Sequence, residues 1–162
     1  EILRKLMAEQ IAIYKRTNVV QATTFSEKIT LLMNTYYNGL ITNEEVIKEL
    51  LKTAEEINAL RKEGEKLGLS EEELAFYDAL TKPEHIKDFY ENETLIALTR
   101  ELTEMLRKNR TIDWQKKETA RAGMRKMVKR LLKKYKYPPE KREDAVETVM
   151  SQCELWTDNM AE

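Results

Sequence analysis

Chemistry at a protein site needs particular side chains at particular spacings, and this chain offers few. Its only histidine is His85 and its only cysteine is Cys153. A single imidazole excludes every triad or metal site that requires two, and a single thiol excludes an internal disulfide and a cysteine zinc site. The four glycines at 39, 64, 68 and 123 do not form a phosphate-cradling P-loop, which needs two glycines five positions apart ahead of Lys and Ser or Thr. No Asp or Glu precedes a lysine by two positions, the strand pattern of many metal-dependent nucleases, and no Gly-x-Ser-x-Gly elbow occurs. Paired carboxylates such as Glu44-Glu45, Glu55-Glu56 and Glu71-Glu72-Glu73 are abundant. Adjacent positions on a helix point about 100° apart, so these read as solvated faces and helix N-terminal charges. The expectation is no catalytic residue, no metal site and no cofactor in this chain. His85 reads as an exposed or structural residue, and Cys153, among Val149, Met150 and Trp156, as a small buried hydrophobe.

Charge is the more informative property. The total of 28 Lys plus Arg against 29 Asp plus Glu hides a segregation. Residues 44–78 hold eleven acidic against five basic side chains, whereas residues 116–136 hold ten basic against Glu118 alone. In the basic stretch Ala120, Met124, Met127, Val128, Leu131, Leu132 and Tyr135 recur at helical spacing and predict a buried stripe. Arg121, Arg125, Lys129 and Lys133 flank it on one side, and Lys126, Arg130 and Lys134 on the other. Like charges so crowded repel unless an anion offsets them. DNA phosphate, the acidic third helix of the same domain, or another subunit could each do so. Arg121, Arg125, Lys126, Lys129, Arg130, Lys133 and Lys134 are therefore the candidate nucleic-acid or partner-binding residues. If DNA is the ligand, reversing Arg125, Lys129 and Lys133 is expected to abolish binding and leave helicity intact. Arg110, Trp114 and Tyr137 read as packing anchors.

The elements that must position these side chains are helices. The chain has 162 residues, 35% charged, with only four Gly and three Pro, too few breakers for all-β or doubly wound folds. The predicted class is all-α, an irregular bundle of about seven helices in one domain. Helices are expected at roughly 2–17 and 24–38, a pair that can pack as a separate hairpin, with Asn38-Gly39 as terminator. Capping boxes at Thr42/Glu45 and Ser70/Glu73 open the next two. The first of these carries Val46, Ile47, Leu50, Leu51, Ala54, Ile57 and Leu60 as its apolar stripe and closes at Gly64 and Gly68; the second stops before Lys82-Pro83. A looser stretch around Phe89-Tyr90 precedes a helix at 92–108. The basic helix, capped by Asp113, runs to about Lys136, where Tyr137-Pro138-Pro139 stops it. A last helix runs from Pro139 to about Thr157. No apolar run reaches the roughly 20 residues that span a bilayer, so a soluble cytoplasmic protein without membrane contact is expected. The chain starts in helical rhythm without Met or a cap. Residues 1–24 are accordingly expected to continue an upstream part of a longer chain, with 25–162 as the domain proper.

Several strings are distinctive. Gly68-Leu69-Ser70 with Glu72-Glu73 leads to Ala75-Phe76-Tyr77-Asp78-Ala79-Leu80. Then follow Asp113-Trp114, Arg121, Val128-Lys129-Arg130-Leu131-Leu132 and Tyr135-Lys136-Tyr137-Pro138-Pro139. From about residue 25 to 156, in this order, the chain resembles the C-terminal helical region of the R (motor) subunit of type I restriction enzymes. The resemblance implies a parent subunit with an endonuclease domain and two helicase-like motor domains ahead of this region. Such a subunit is an ATP-dependent, magnesium-using deoxyribonuclease that translocates DNA and binds methyltransferase and specificity subunits. For this region the resemblance implies a non-catalytic role: docking the motor onto the methyltransferase core. The alternative is direct, non-specific contact with the DNA backbone along the translocation path.

Overall fold

Asn18 opens the first continuous helix: its side-chain oxygen accepts the Gln21 amide, so α1 runs Val19–Tyr37. That start is five residues earlier than the sequence suggests, because Asn18 rather than a residue near Thr24 supplies the cap. The computed structural model describes residues 18–83, 85–110 and 114–160, and ahead of them Lys5, Ala8, Glu9 and Ala12 in helical conformation. Most of the expected 2–17 helix and Asp113 lie outside the described residues.

Gly39, at φ +73°, terminates α1 after Asn38, and Thr42 caps α2 (Asn43–Lys66) by accepting the Glu45 amide. Ser70 and Glu73 form a complete reciprocal capping box that opens α3 (Glu71–Thr81). A one-turn helix α4 (Ile86–Phe89) lies in the looser stretch, and α5 (Asn92–Asn109) follows. A 3₁₀ turn at Trp114–Lys116 precedes α6 (Glu118–Lys134), and α7 (Pro139–Met160) closes the fold. The described residues contain helices and no strand, as the composition predicts.

Two boundaries depart from the sequence reading for packing reasons. The α6 helix begins at Glu118, not after Asp113, because Trp114 is fully buried with its indole N–H donated to Thr157 Oγ1. This draws the chain into the 3₁₀ turn first. Gly64 does not close α2 but sits inside it, where a Cβ would fall 2.6 Å from Leu74. The glycine lets α2 approach α3 closely, and the terminator is Gly68 at φ +72°.

The core forms around α3, a short helix whose Ala75, Phe76, Ala79 and Leu80 are completely buried. An apolar face this broad requires neighbours on several sides, and α1, α5 and α7 provide them. Leu95, Leu98, Leu102 and Leu106 of α5 meet Val128 and Leu132 of α6 and Val146, Val149 and Cys153 of α7 in one cluster. Tyr137 ties the layers together by donating its buried hydroxyl to the Leu80 carbonyl, 2.6 Å away at the C-terminal end of α3.

The pair α1–α2 stands apart, with its own small core of Phe25, Leu50 and Ile57 backed by Ile29, Leu32, Ala54 and Leu60. It is the pair at 19–66; the hairpin expected of 2–17 with 24–38 rests on a helix most of which lies outside the described residues. Its base is fixed by a buried polar joint. Asn18 Nδ2 and Gln21 Nε2 both donate to Asp78 Oδ2 at 2.8 Å, and Gln152 accepts the Val19 amide at 2.9 Å. Burial pushes the Asp78 carboxyl above its ordinary value, a tendency those two amide donors oppose.

Candidate partner-binding surfaces

The basic helix α6 packs with one side against α7 and another against α5, and both neighbours present carboxylates. Arg121 lies 2.7 Å from Glu154, Arg125 pairs with Glu147, and Lys129 Nζ is 3.1 Å from Glu143. As the residue number rises on α6 it falls on α7, so these are successive rungs between antiparallel helices. On the α5 side Lys134 is 2.7 Å from Glu101, which also accepts the Tyr135 hydroxyl. Those donors hold the Glu101 carboxyl below the usual range, and the Glu101 carboxylate, with burial, pushes the Tyr135 hydroxyl up to about 12. The acidic helix α2, the third helix of the sequence reading and one of the anions that could offset this charge, packs instead on α1.

Of the seven candidate residues, four are thus neutralised inside the fold: Arg121, Arg125, Lys129 and Lys134. The other three, Lys126, Arg130 and Lys133, are exposed and have no ion-pair or hydrogen-bond partner among the described residues. They lie within about 60° of each other around the helix and span about 10.5 Å of its axis. Lys133, grouped with the Arg121 flank in the sequence, falls on this outer stripe. Gly123 shares the outer face, and a Cβ there would meet nothing within 4 Å. An exposed mid-helix glycine costs about 1 kcal/mol relative to alanine, and no neighbour among the described residues requires it.

A second surface escaped the sequence reading. Near the turn joining α1 to α2, Leu40, Ile47 and Leu51 are 74%, 51% and 51% exposed, whereas exposed Leu31 lines a separate groove with Lys48, Lys52 and Glu56. The sequence places Ile47 and Leu51 on the buried stripe, but they stand about 100° round the helix from Val46 and Leu50, which fill the arm's core. The signal was the stripe's width: seven apolar residues exceed what one partner helix can cover. The arm closes on itself through the Tyr36 hydroxyl, which donates to Asn43.

The remaining candidates are structural. Trp114 and Tyr137 are buried anchors, and the Arg110 guanidinium lies 4.1 Å from the Trp156 ring centroid. Glu72, read as a solvated charge, accepts the Trp156 indole N–H at 2.9 Å and Arg107 at 2.8 Å. His85 is exposed, with Nδ1 3.4 Å from Asp88. Cys153 is buried, and burial pushes its thiol up to about 12. Among the described residues no group of three or more His, Cys, Asp or Glu converges as a metal site, and no helix is long and apolar enough to cross a membrane.

Comparison with known proteins adds an independent line. The family model for the type I restriction enzyme HindI endonuclease subunit-like C-terminal region matches residues 1–159. The type I restriction enzyme HindI endonuclease subunit of Haemophilus influenzae is 41% identical over 152 residues, which cover 94% of this chain and 14% of that protein. The putative type I restriction enzyme MjaIXP endonuclease subunit of Methanocaldococcus jannaschii is 31% identical over 135 residues, covering 83% of this chain and 13% of that protein. The chain therefore spans about one seventh of the length of these curated relatives. No solved structure matches it. By sequence, the chain belongs to the family of C-terminal regions of HindI-like type I restriction enzyme endonuclease subunits.

Proposed function

We propose that this domain is a non-catalytic assembly module, docking an ATP-dependent, magnesium-using translocase and endonuclease subunit onto its methyltransferase and specificity partners. The observation that carries this reading is the arm. It has its own small core, is pinned to the body at Asp78, and presents Leu40, Ile47 and Leu51 to solvent. Exposed apolar side chains grouped at one end of an element mark protein-contact surfaces. Glu44 and Glu55, one turn from Ile47 and Leu51 on α2, border the patch. The complementary partner surface is accordingly an apolar patch with a basic rim on the methyltransferase core. The test is a pull-down of that core by the wild-type chain and by I47E/L51E. Loss of capture with unchanged circular dichroism supports the reading, and equal capture refutes it.

A second reading, direct non-specific contact with the DNA backbone, is favoured by one observation: Lys126, Arg130 and Lys133 have no ion-pair partner among the described residues, whereas Arg121, Arg125, Lys129 and Lys134 on α6 do.

A further inference from the structure

We infer that the face of α6 carrying Gly123, Lys126, Arg130 and Lys133 seats the phosphate backbone of double-stranded DNA. This rests on the DNA-contact reading of the basic helix and specifies its atoms and the form of the ligand. The rungs to Glu143, Glu147 and Glu154 fix α6 against α7 along its length. The outer cations therefore lie on the side of α6 away from those rungs, with no carboxylate paired to them among the described residues. Exposed Lys117 and Lys136, also without partners among the described residues, extend the positive charge to both ends of the helix.

The composition of this face selects the ligand class. Protein interfaces bury aromatic and apolar anchors and are depleted in lysine, yet the other exposed residues here are Thr119, Ala122 and Gly123. Nucleic-acid interfaces are much more positively charged. Single-strand binding relies on exposed aromatic rings for base stacking. Trp114 and Tyr137, at the two ends of α6, are buried, and the Tyr135 hydroxyl is bound to Glu101. The face carries no Asn or Gln to read base edges. A duplex, met through the charge of its phosphate backbone, is what remains. Gly123 fits this assignment, since a residue without a side chain lets a bulky backbone approach the helix where nothing among the described residues needs the space.

The test is fluorescence anisotropy of a labelled, random-sequence duplex of about 20 base pairs, titrated with the chain between about 50 and 200 mM salt. K126E/R130E/K133E is expected to lower affinity about 100-fold at low salt and to shrink the salt slope by about 3. Its circular dichroism and Tm should not fall. Gly123→Gln adds no charge and is expected to raise Tm while weakening duplex binding. K48E/K52E/K62E, an equal charge change on the arm, should weaken binding by less than about tenfold, through the net charge alone. Duplex binding by wild type that K126E/R130E/K133E leaves unchanged would overturn this assignment and leave DNA contact elsewhere. Absence of wild-type binding at low salt would overturn both. Equal loss in the arm variant, tighter binding to a single strand, or equally tight binding to polyglutamate would each overturn the duplex assignment as well.

Discussion

Lys129 Nζ stands 3.1 Å from the Glu143 carboxylate, one helical turn from the Arg125–Glu147 pair. That relationship divides the most basic helix of the chain into two sides. The side toward α7 is a structural seam whose charge is neutralised internally, and Lys126, Arg130 and Lys133 on the outer stripe make no ion pair among the described residues. Substitutions on the two sides should therefore behave differently.

The first consequence concerns stability. Partly exposed ion pairs contribute about 0.2–1 kcal/mol each, and reversal adds like-charge repulsion. R121E/R125E/K129E should lose roughly 2–3 kcal/mol in urea denaturation, with part of the loss restored by E143K/E147K/E154K. K126E/R130E/K133E should lose none, because it breaks no pair and relieves crowding. Equal losses in the two triple variants would contradict the seam. A reversal of Arg125, Lys129 and Lys133 mixes the two sides, so its loss of DNA binding could not be separated from loss of structure.

Tyr137→Phe removes the donor to the Leu80 carbonyl. A buried carbonyl left unpaired costs about 1–3 kcal/mol, so the variant should unfold at lower urea with an unchanged m-value. Wild-type stability would mean that another donor serves the C-terminal end of α3.

Cys153 is predicted to be inert in the folded chain. With its thiol held up to about 12 by burial, the thiolate is scarce at pH 8. A disulfide reagent should titrate no thiol in the native chain and one after denaturation. Rapid native labelling would show that α7 opens readily.

Asp78 gives the joint of the arm a defined pH dependence. Its folded pKa lies above the unfolded one, so its contribution is present below the ordinary aspartate range and is lost as pH rises through the folded value. The stability difference between wild type and D78N should therefore shrink from about pH 4 toward neutral, starting near the unfolded aspartate pKa. A difference that grows with pH would mean that the Asn18 and Gln21 hydrogen bonds outweigh desolvation.

Local signals made much of this fold legible. Asn38-Gly39, Ser70/Glu73 and Pro139 each act within one turn of the backbone, and the structure uses them where the sequence places them. Gly64 was misread because its reason is Leu74 on another helix, and the start of α6 was misread because Trp114 is buried against α7. The candidate site divides the same way. Helical periodicity identified the seven cations, but pairing with Glu143, Glu147 and Glu154 depends on which helix becomes the neighbour. The exposed Ile47 and Leu51 were hidden by type: leucine and isoleucine read as core until the number of partners is known.

The most direct test of the assembly role is competition. Full-length motor subunit would be titrated onto immobilised methyltransferase core in the presence of excess 162-residue chain. The chain is predicted to displace the motor subunit in a saturable manner, and I47E/L51E to displace none. Undiminished binding of the motor subunit at saturating chain would contradict the docking role.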